Sequence, residues 1–342
     1  MDSTYSATCI TLLIFIASVI SVEVALSAAI IEITAGVIAG NFLGLHPAPW
    51  MDFLAGFGGI LLTFLAGAEV DPELMKQKLA VLIETGLTNT PIGKLIMAST
   101  FVTDIGTALA LSLTFAEGSI RTLWFFIGSA IIIVLAPRYL PKVFERYGPR
   151  VIEPEIKLLF FLLFLFMSLG KWGRSHAVLP VFVLGLCLAK MFHTHKDLQR
   201  KLRIVAFAMI TPFFFIKGGM SVSLSDLTAN CKLLFILFGV KTAAKFIGVW
   251  PLARRYANDH AAYTTLLMST GLTFGTISSL YGLQAGYINS TQFSILVAVV
   301  IGTAVIPTFI AQRWFSPTLP EEIKEEMLAE EAVNQPACAV IR

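Results

Sequence analysis

About eleven apolar runs of roughly 15–22 residues, separated by short polar breaks, constrain this chain more than any motif in it. At ~1.5 Å per residue a run of that length crosses most or all of a ~30 Å hydrocarbon core as a helix, whereas barrel strands would be about 10 residues long with strict alternation. The runs fall at about 6–20, 25–45, 52–70, 94–115, 122–136, 157–171, 176–192, 205–220, 231–251, 262–283 and 292–312. Only 14% of the residues are charged and 56% are hydrophobic, against roughly 25% charged in soluble domains. The expected fold class is therefore an all-α polytopic membrane protein of about eleven transmembrane helices. Several runs are short or interrupted by Gly and Pro, which points to at least one broken helix facing a cavity, since freed backbone groups are not left in lipid.

Other classes are set aside by what the chain carries. Cys9, Cys187, Cys231 and Cys338 are scattered, with no C-x-x-C pair, and read as small packing residues rather than as disulfides or a zinc site. A net charge of +3 without a clustered basic face gives no nucleic-acid surface. His193 and His195 lack acidic or cysteine companions, and no nucleophile elbow, P-loop or zincin motif occurs. Neither an enzyme nor a bound cofactor is expected. The N-terminus has no basic region followed by a small-residue cleavage site, so 7–20 reads as a retained first span.

Basic residues gather at Lys76 and Lys78, in "PRYLPKVFERYGPR" (137–150), in "HTHKDLQRKLR" (193–203) and at Arg254 and Arg255. Read as loops two spans apart, all four fall on one side, which the positive-inside rule makes cytoplasmic. The N-terminus is then outside and the C-terminus cytoplasmic. Residues 1–312 form the transmembrane domain, and 313–342, with "PEEIKEEMLAEEA", an acidic tail read as a short solvated helix.

Charges within the spans need a reason, because a central Asp or Lys costs about 2.5–3.5 kcal/mol on insertion scales. Glu23 lies near the start of its span and reads as interfacial. Glu32, in "AAIIEITAGVIAG", is deeper among small residues and suits either a packed, hydrogen-bonded role or the lining of an ion path. Asp71, followed by Pro72 and Glu73, reads as the cap of a short interfacial helix. Glu69, two residues earlier, reads as support near an ion route. Asp104, in "FVTDIGTALALSL", sits near mid-membrane with Thr103, Thr107 and Ser112 close in sequence. Lys217, in "TPFFFIKGGMSVSL", follows three phenylalanines and precedes two glycines, a setting for an ammonium deep in protein. A buried structural ion pair is the plain reading of these two, and an ion or proton route the preferred one.

A buried carboxylate compensated by a nearby cation can hold a proton or a small metal ion, but not both, and that competition couples two fluxes. Hydroxyls and carbonyls freed at a broken helix are hard oxygen ligands. "STGLTFGTISSLYGL" (269–283), with Thr273 and Thr276, is rich in both glycine and hydroxyls and is the expected broken helix. A tight helix-packing face is its rival reading.

On "IIEITAGVIAGNFLGL", "LLTFLAGAEVDPE", "VLIETGLTNTPIGKLIMASTFVTDIGTALALS", "HAVLPVFVLGL", "TPFFFIKGGMSVSL" and "LLMSTGLTFGTISSLYGL", in that order, the chain resembles the monovalent cation:proton antiporter-2 family and its NapA-type sodium/proton antiporters. The resemblance implies an inverted-repeat helical bundle in a bacterial or archaeal cell membrane, a homodimer, and exchange of sodium, lithium or potassium for protons. It puts Asp104 on the ion- and proton-carrying aspartate and Lys217 on the lysine of electrogenic members. The second acid often found before that aspartate is Thr103 here, which leaves Lys217 without its usual partner. Between Lys78 and Val81 the chain is shorter than the family pattern by about two spans, among them a first broken helix. A transport-inactive scaffold or regulatory subunit is the alternative that this shortening raises.

Overall fold

A computed structural model of the chain describes residues 3–24, 27–69, 103, 105–112, 119–147, 153–256, 258–269 and 271–315. Among the described residues the regular structure is helical throughout, and six helices are long and apolar enough to cross a membrane. The chain is an all-α polytopic membrane protein.

The helices α1 (Ser3–Val24), α2 (Ala28–Asn41) and α3 (Pro49–Ala68) open the chain. Pro49 stands in the first turn of α3, where its missing N–H costs nothing, and Asp52 places an acid near the helix's positive end. The helical residues 105–112 come next, then α4 (Ile120–Tyr147), α5 (Pro154–Trp172) and α6 (Val178–Thr194). The helix α7 (Lys196–Val205) runs through a π turn at Ala206–Ile210 into α8 (Thr211–Met220). The wider turn sits directly ahead of Pro212, whose ring would crowd the carbonyl four residues back in a regular helix. A short α9 (Leu224–Ala229), then α10 (Cys231–Tyr256), α11 (Ala261–Met268), α12 (Leu272–Gln284) and α13 (Ser290–Trp314) complete the order.

Two segments expected as basic loops are helical. Residues 137–147 continue α4 through Pro137 and Pro141, and 196–203 belong to α7. Carbonyls freed by a proline need a partner only where water is excluded, so the end of a span tolerates what its middle does not. The expected break in 269–283 lies at its beginning: α11 stops at Met268, and Gly271, in extended backbone at φ −170°, precedes α12.

Lipid tails are as apolar as leucine, so these helices associate by close contact rather than by hydrophobic exclusion. The packing shows where that contact is made. Cβ atoms at Gly36 and Gly40 of α2 would collide with the backbone of Ile216 and Met220 of α8, and one at Gly219 with the backbone of Ile33. Gly67 of α3 and Gly185 of α6 meet in the same way. Thus α3 lies between α6 and α8, and α8 between α2 and α3. All ten residues of α8 are buried, whereas α10 turns Phe235, Val240 and Ile247 outward, as suits a face against lipid.

Candidate functional site

The site is built on α8. Phe213 packs into an apolar cluster with Ile10, Met51 and Ile216, and Phe214 and Phe215 into another with Phe182, Phe274, Ile277 and Phe293. Between them stands Lys217, with a side chain only 8% exposed. The two glycines after it open room on either side: Gly219 lets α2 approach, and at Gly218 the nearest side-chain atom to an added Cβ is Thr276 Cγ2 of α12, at 3.6 Å.

The ammonium is not alone. Lys217 Nζ lies 2.7 Å from Asp52 Oδ1 of α3, whose side chain is 56% exposed. A buried cation is thereby tied to a carboxylate that reaches toward the exterior. Asp52 supplies from α3 the partner that Thr103 does not provide, and it is the residue missed in reading the sequence. An acid in the first turn of a helix has a ready local explanation, so nothing in the string sets it apart.

The expected site residues divide by position. Thr276 is fully buried and its hydroxyl donates to Leu272 O at 2.7 Å, which leaves oxygen lone pairs for another donor or a cation. Thr273 is half-buried, one turn earlier on α12. Glu32 is 4% exposed on α2, and among the described residues it has no hydrogen-bond or ion-pair partner. Glu69 is elsewhere: it closes α3, 17 residues and therefore about 25 Å along the axis from Asp52. There its Oε1 lies 3.2 Å from Arg203 Nε of α7, a charge contact without an aligned hydrogen bond. Thr103 is half-buried and its carbonyl accepts from Thr107 Oγ1 at 2.8 Å. Asp104 lies outside the described residues. The helix that follows it contributes Ala108 and Leu111 to the cluster containing Phe214, Phe215 and Ile277, so that helix packs with α8 and α12.

Hydroxyls near the break are largely satisfied within their own helices, Ser269 by Thr265 O and Thr265 by Ala261 O, while buried Thr264 Oγ1 has no partner among the described residues. A second ammonium within a span, also missed in the sequence, is Lys241 of α10, which donates to Thr303 Oγ1 of α13 at 2.8 Å. Among the described residues no three His, Cys, Asp or Glu side chains converge on a metal position. The arrangement at α8 therefore offers one buried cation compensated by a half-exposed carboxylate, with a hydroxyl oxygen of Thr276 on the neighbouring α12.

The chain is similar to proteins already known. A probable Na(+)/H(+) antiporter 3 of Methanocaldococcus jannaschii is 24% identical over 351 aligned residues, which takes in 83% of this chain and 90% of that protein. The Na(+)/H(+) antiporter NhaS4 of Synechocystis is 23% identical over 363, with 80% of this chain and 88% of that one covered. The solved structure of the sodium proton antiporter MjNhaP1 of Methanocaldococcus jannaschii has a TM-score of 0.54 at 14% identity, covering 93% of this chain and 100% of that chain, a likeness of fold. Residues 78–316, more than two thirds of the chain, match the sodium/hydrogen exchanger transmembrane family. Lys217, Thr276 and the break before α12 all lie within that match, and the chain belongs to the sodium/hydrogen exchanger family.

Proposed function

We propose that the protein exchanges sodium, or lithium or potassium in its place, for protons across a cell membrane, with Asp104 holding cation and proton alternately. The observation that carries this reading is Lys217: a buried ammonium on a wholly buried helix, paired among the described residues with half-exposed Asp52. A charge kept at that cost in the spanning region marks an ion or proton route far more often than it serves packing. Family membership and relatives named as Na(+)/H(+) antiporters support the same activity.

In this mechanism the Asp104 carboxylate takes either a cation or a proton, and the competition couples the two flows. Lys217 balances the carboxylate when the site holds no cation and returns to Asp52 when it does. Thr103, Thr273 and Thr276 supply neutral oxygens for the cation. Glu32 is a second carboxylate on α2 for the proton path, and Glu69 secures the far end of α3 to α7. The basic ends of α4 and α10 and the basic face of α7 face the cytoplasm, with the N-terminus outside. The transmembrane unit ends near residue 312 and the acidic tail 313–342 is cytoplasmic. A homodimer completes the reading, on the strength of the family resemblance.

A specific observation favours a second reading. This chain contributes about 284 of its residues to the 351-position alignment with the Methanocaldococcus protein, so about 67 positions of that alignment have no counterpart here. That difference fits a chain shortened between Lys78 and Val81 that serves as an inactive scaffold. Reconstitution into liposomes separates the two. Collapse of a preformed proton gradient on sodium addition, abolished by Asp104→Asn, is the result expected of the exchanger. No exchange by correctly folded wild type would assign the scaffold, and full exchange by the variant would remove Asp104 from the mechanism.

A further inference from the structure

The helix α7 has two unlike faces. Leu198 and Leu202 are buried in the cluster with Phe192 and Leu188, while Lys196, Arg200 and Arg203 are exposed. Spacings of four, three and four residues carry that basic row on through Ile204 to Phe207, one stripe along one side of a helix. The stripe changes character along its length: cations in the first two turns, then the exposed apolar side chains Ile204 and Phe207. A depression of about 520 Å³ follows it and is lined by residues of this stripe from Lys196 to Phe207.

Arg203 is held in place by Glu69 at 3.2 Å and by the Phe207 ring, whose centroid lies 5.8 Å from the guanidinium. Lys196 and Arg200 have no ion-pair partner among the described residues. A helix with basic residues on its open face lies at the membrane surface, where anionic headgroups neutralise such residues. Through the π turn it runs on into α8, and Lys196–Met220 together are long and apolar enough to cross a bilayer, so the basic turns stand at one end of that stretch.

We propose that this exposed helix face binds one anionic phospholipid, its phosphate between Lys196 and Arg200 and beside Arg203, and an acyl chain along Ile204 and Phe207. The argument is charge complementarity joined to a polar-to-apolar order that matches a lipid's own. It stands on membrane placement and not on ion exchange. Because α7 is continuous with α8, the lipid also steadies the helix that carries Lys217.

The test uses the full chain in mild detergent, with dioleoyl phosphatidylglycerol or dioleoyl phosphatidylcholine added and retained lipid counted by native mass spectrometry. Phosphatidylglycerol is expected to bind about thirtyfold more tightly to the wild type than to Lys196→Gln/Arg200→Gln, the equivalent of two basic residues at a membrane surface. Arg138→Gln/Lys142→Gln, at the basic end of α4, should leave binding unchanged. In the wild type alone, raising the salt to about 0.5 M should weaken retention, since charged contacts at a surface are screened. Equal retention of phosphatidylcholine, equal loss in the α4 variant, indifference to salt, or full displacement by millimolar inorganic phosphate would each overturn the proposal.

Discussion

Replacing Asp52 by Asn removes the charge that faces Lys217 and keeps the side chain's size. At 2.7 Å, two unit charges attract by about 6 kcal/mol at an effective dielectric constant of 20 and by about 1.5 kcal/mol in bulk water. Lys217 is 8% exposed and Asp52 56%, so the pair is desolvated on one side and screened on the other. Breaking a fully buried pair costs about 3–5 kcal/mol, and an exposed pair is worth about 0–1. A loss of about 2 kcal/mol is the value for this half-open geometry. In a chain of this length that lowers the thermal unfolding midpoint by about 3 °C. The assay is a double-mutant cycle of Asp52→Asn and Lys217→Met, followed by the midpoint in detergent and by the pH profile of exchange in liposomes. The double variant should lose less than the sum of the single ones, by about 1–2 kcal/mol, because a second removal cannot break a pair already broken. Asp52→Asn should also displace the pH profile, which a packing defect alone would not do. Additive losses with an unchanged profile would refute the pairing and the route built on it.

Other substitutions test separate links. Asp104→Asn should abolish sodium-driven collapse of a proton gradient while leaving the thermal midpoint close to that of the wild type. Gly219→Ala should destabilise by about 1–3 kcal/mol, because its Cβ would meet the Ile33 backbone, whereas Gly248→Ala, with open space around its Cβ, should raise the midpoint slightly. Thr276→Val, which keeps shape and removes an oxygen, should weaken apparent sodium affinity at unchanged expression, read from exchange rate against sodium concentration. Lys201 Nζ donates to Glu153 Oε2 at 2.9 Å and holds that carboxyl below the usual glutamate range. A depressed carboxyl stabilises the fold above its unfolded pKa of about 4.3 and loses that contribution as pH falls through the lower folded value. The midpoint difference between wild type and Glu153→Gln should therefore be present at pH 7 and shrink as the pH falls below about 4.3.

Much of the architecture was legible because its causes are local. Apolar runs near the bilayer thickness mark spanning helices, and glycine and hydroxyls near 270 mark an interruption, found where α11 stops at Met268 and α12 starts at Leu272. Lys217 stood out because nothing near it in the chain explains an ammonium there. Asp52 did not, since a first-turn acid explains itself, and Lys241 did not, since its run also carries Lys232 and Lys245. The segments 137–147 and 193–203 look like loops because charge was weighed ahead of periodicity. Proline and basic residues continue a helix once it leaves the lipid.

The amino-acid sequence by itself determined that this protein lives in a bilayer as a bundle of helices, and which charges are too expensive to be incidental. Those properties follow from the solvent and from neighbours within a few turns. Only the tertiary structure decided which charges meet. Asp52 and Lys217 stand 165 positions apart, on helices brought side by side where Gly58 and Gly59 of α3 meet Phe214 of α8, and an ion pair of that range leaves no mark on the local pattern.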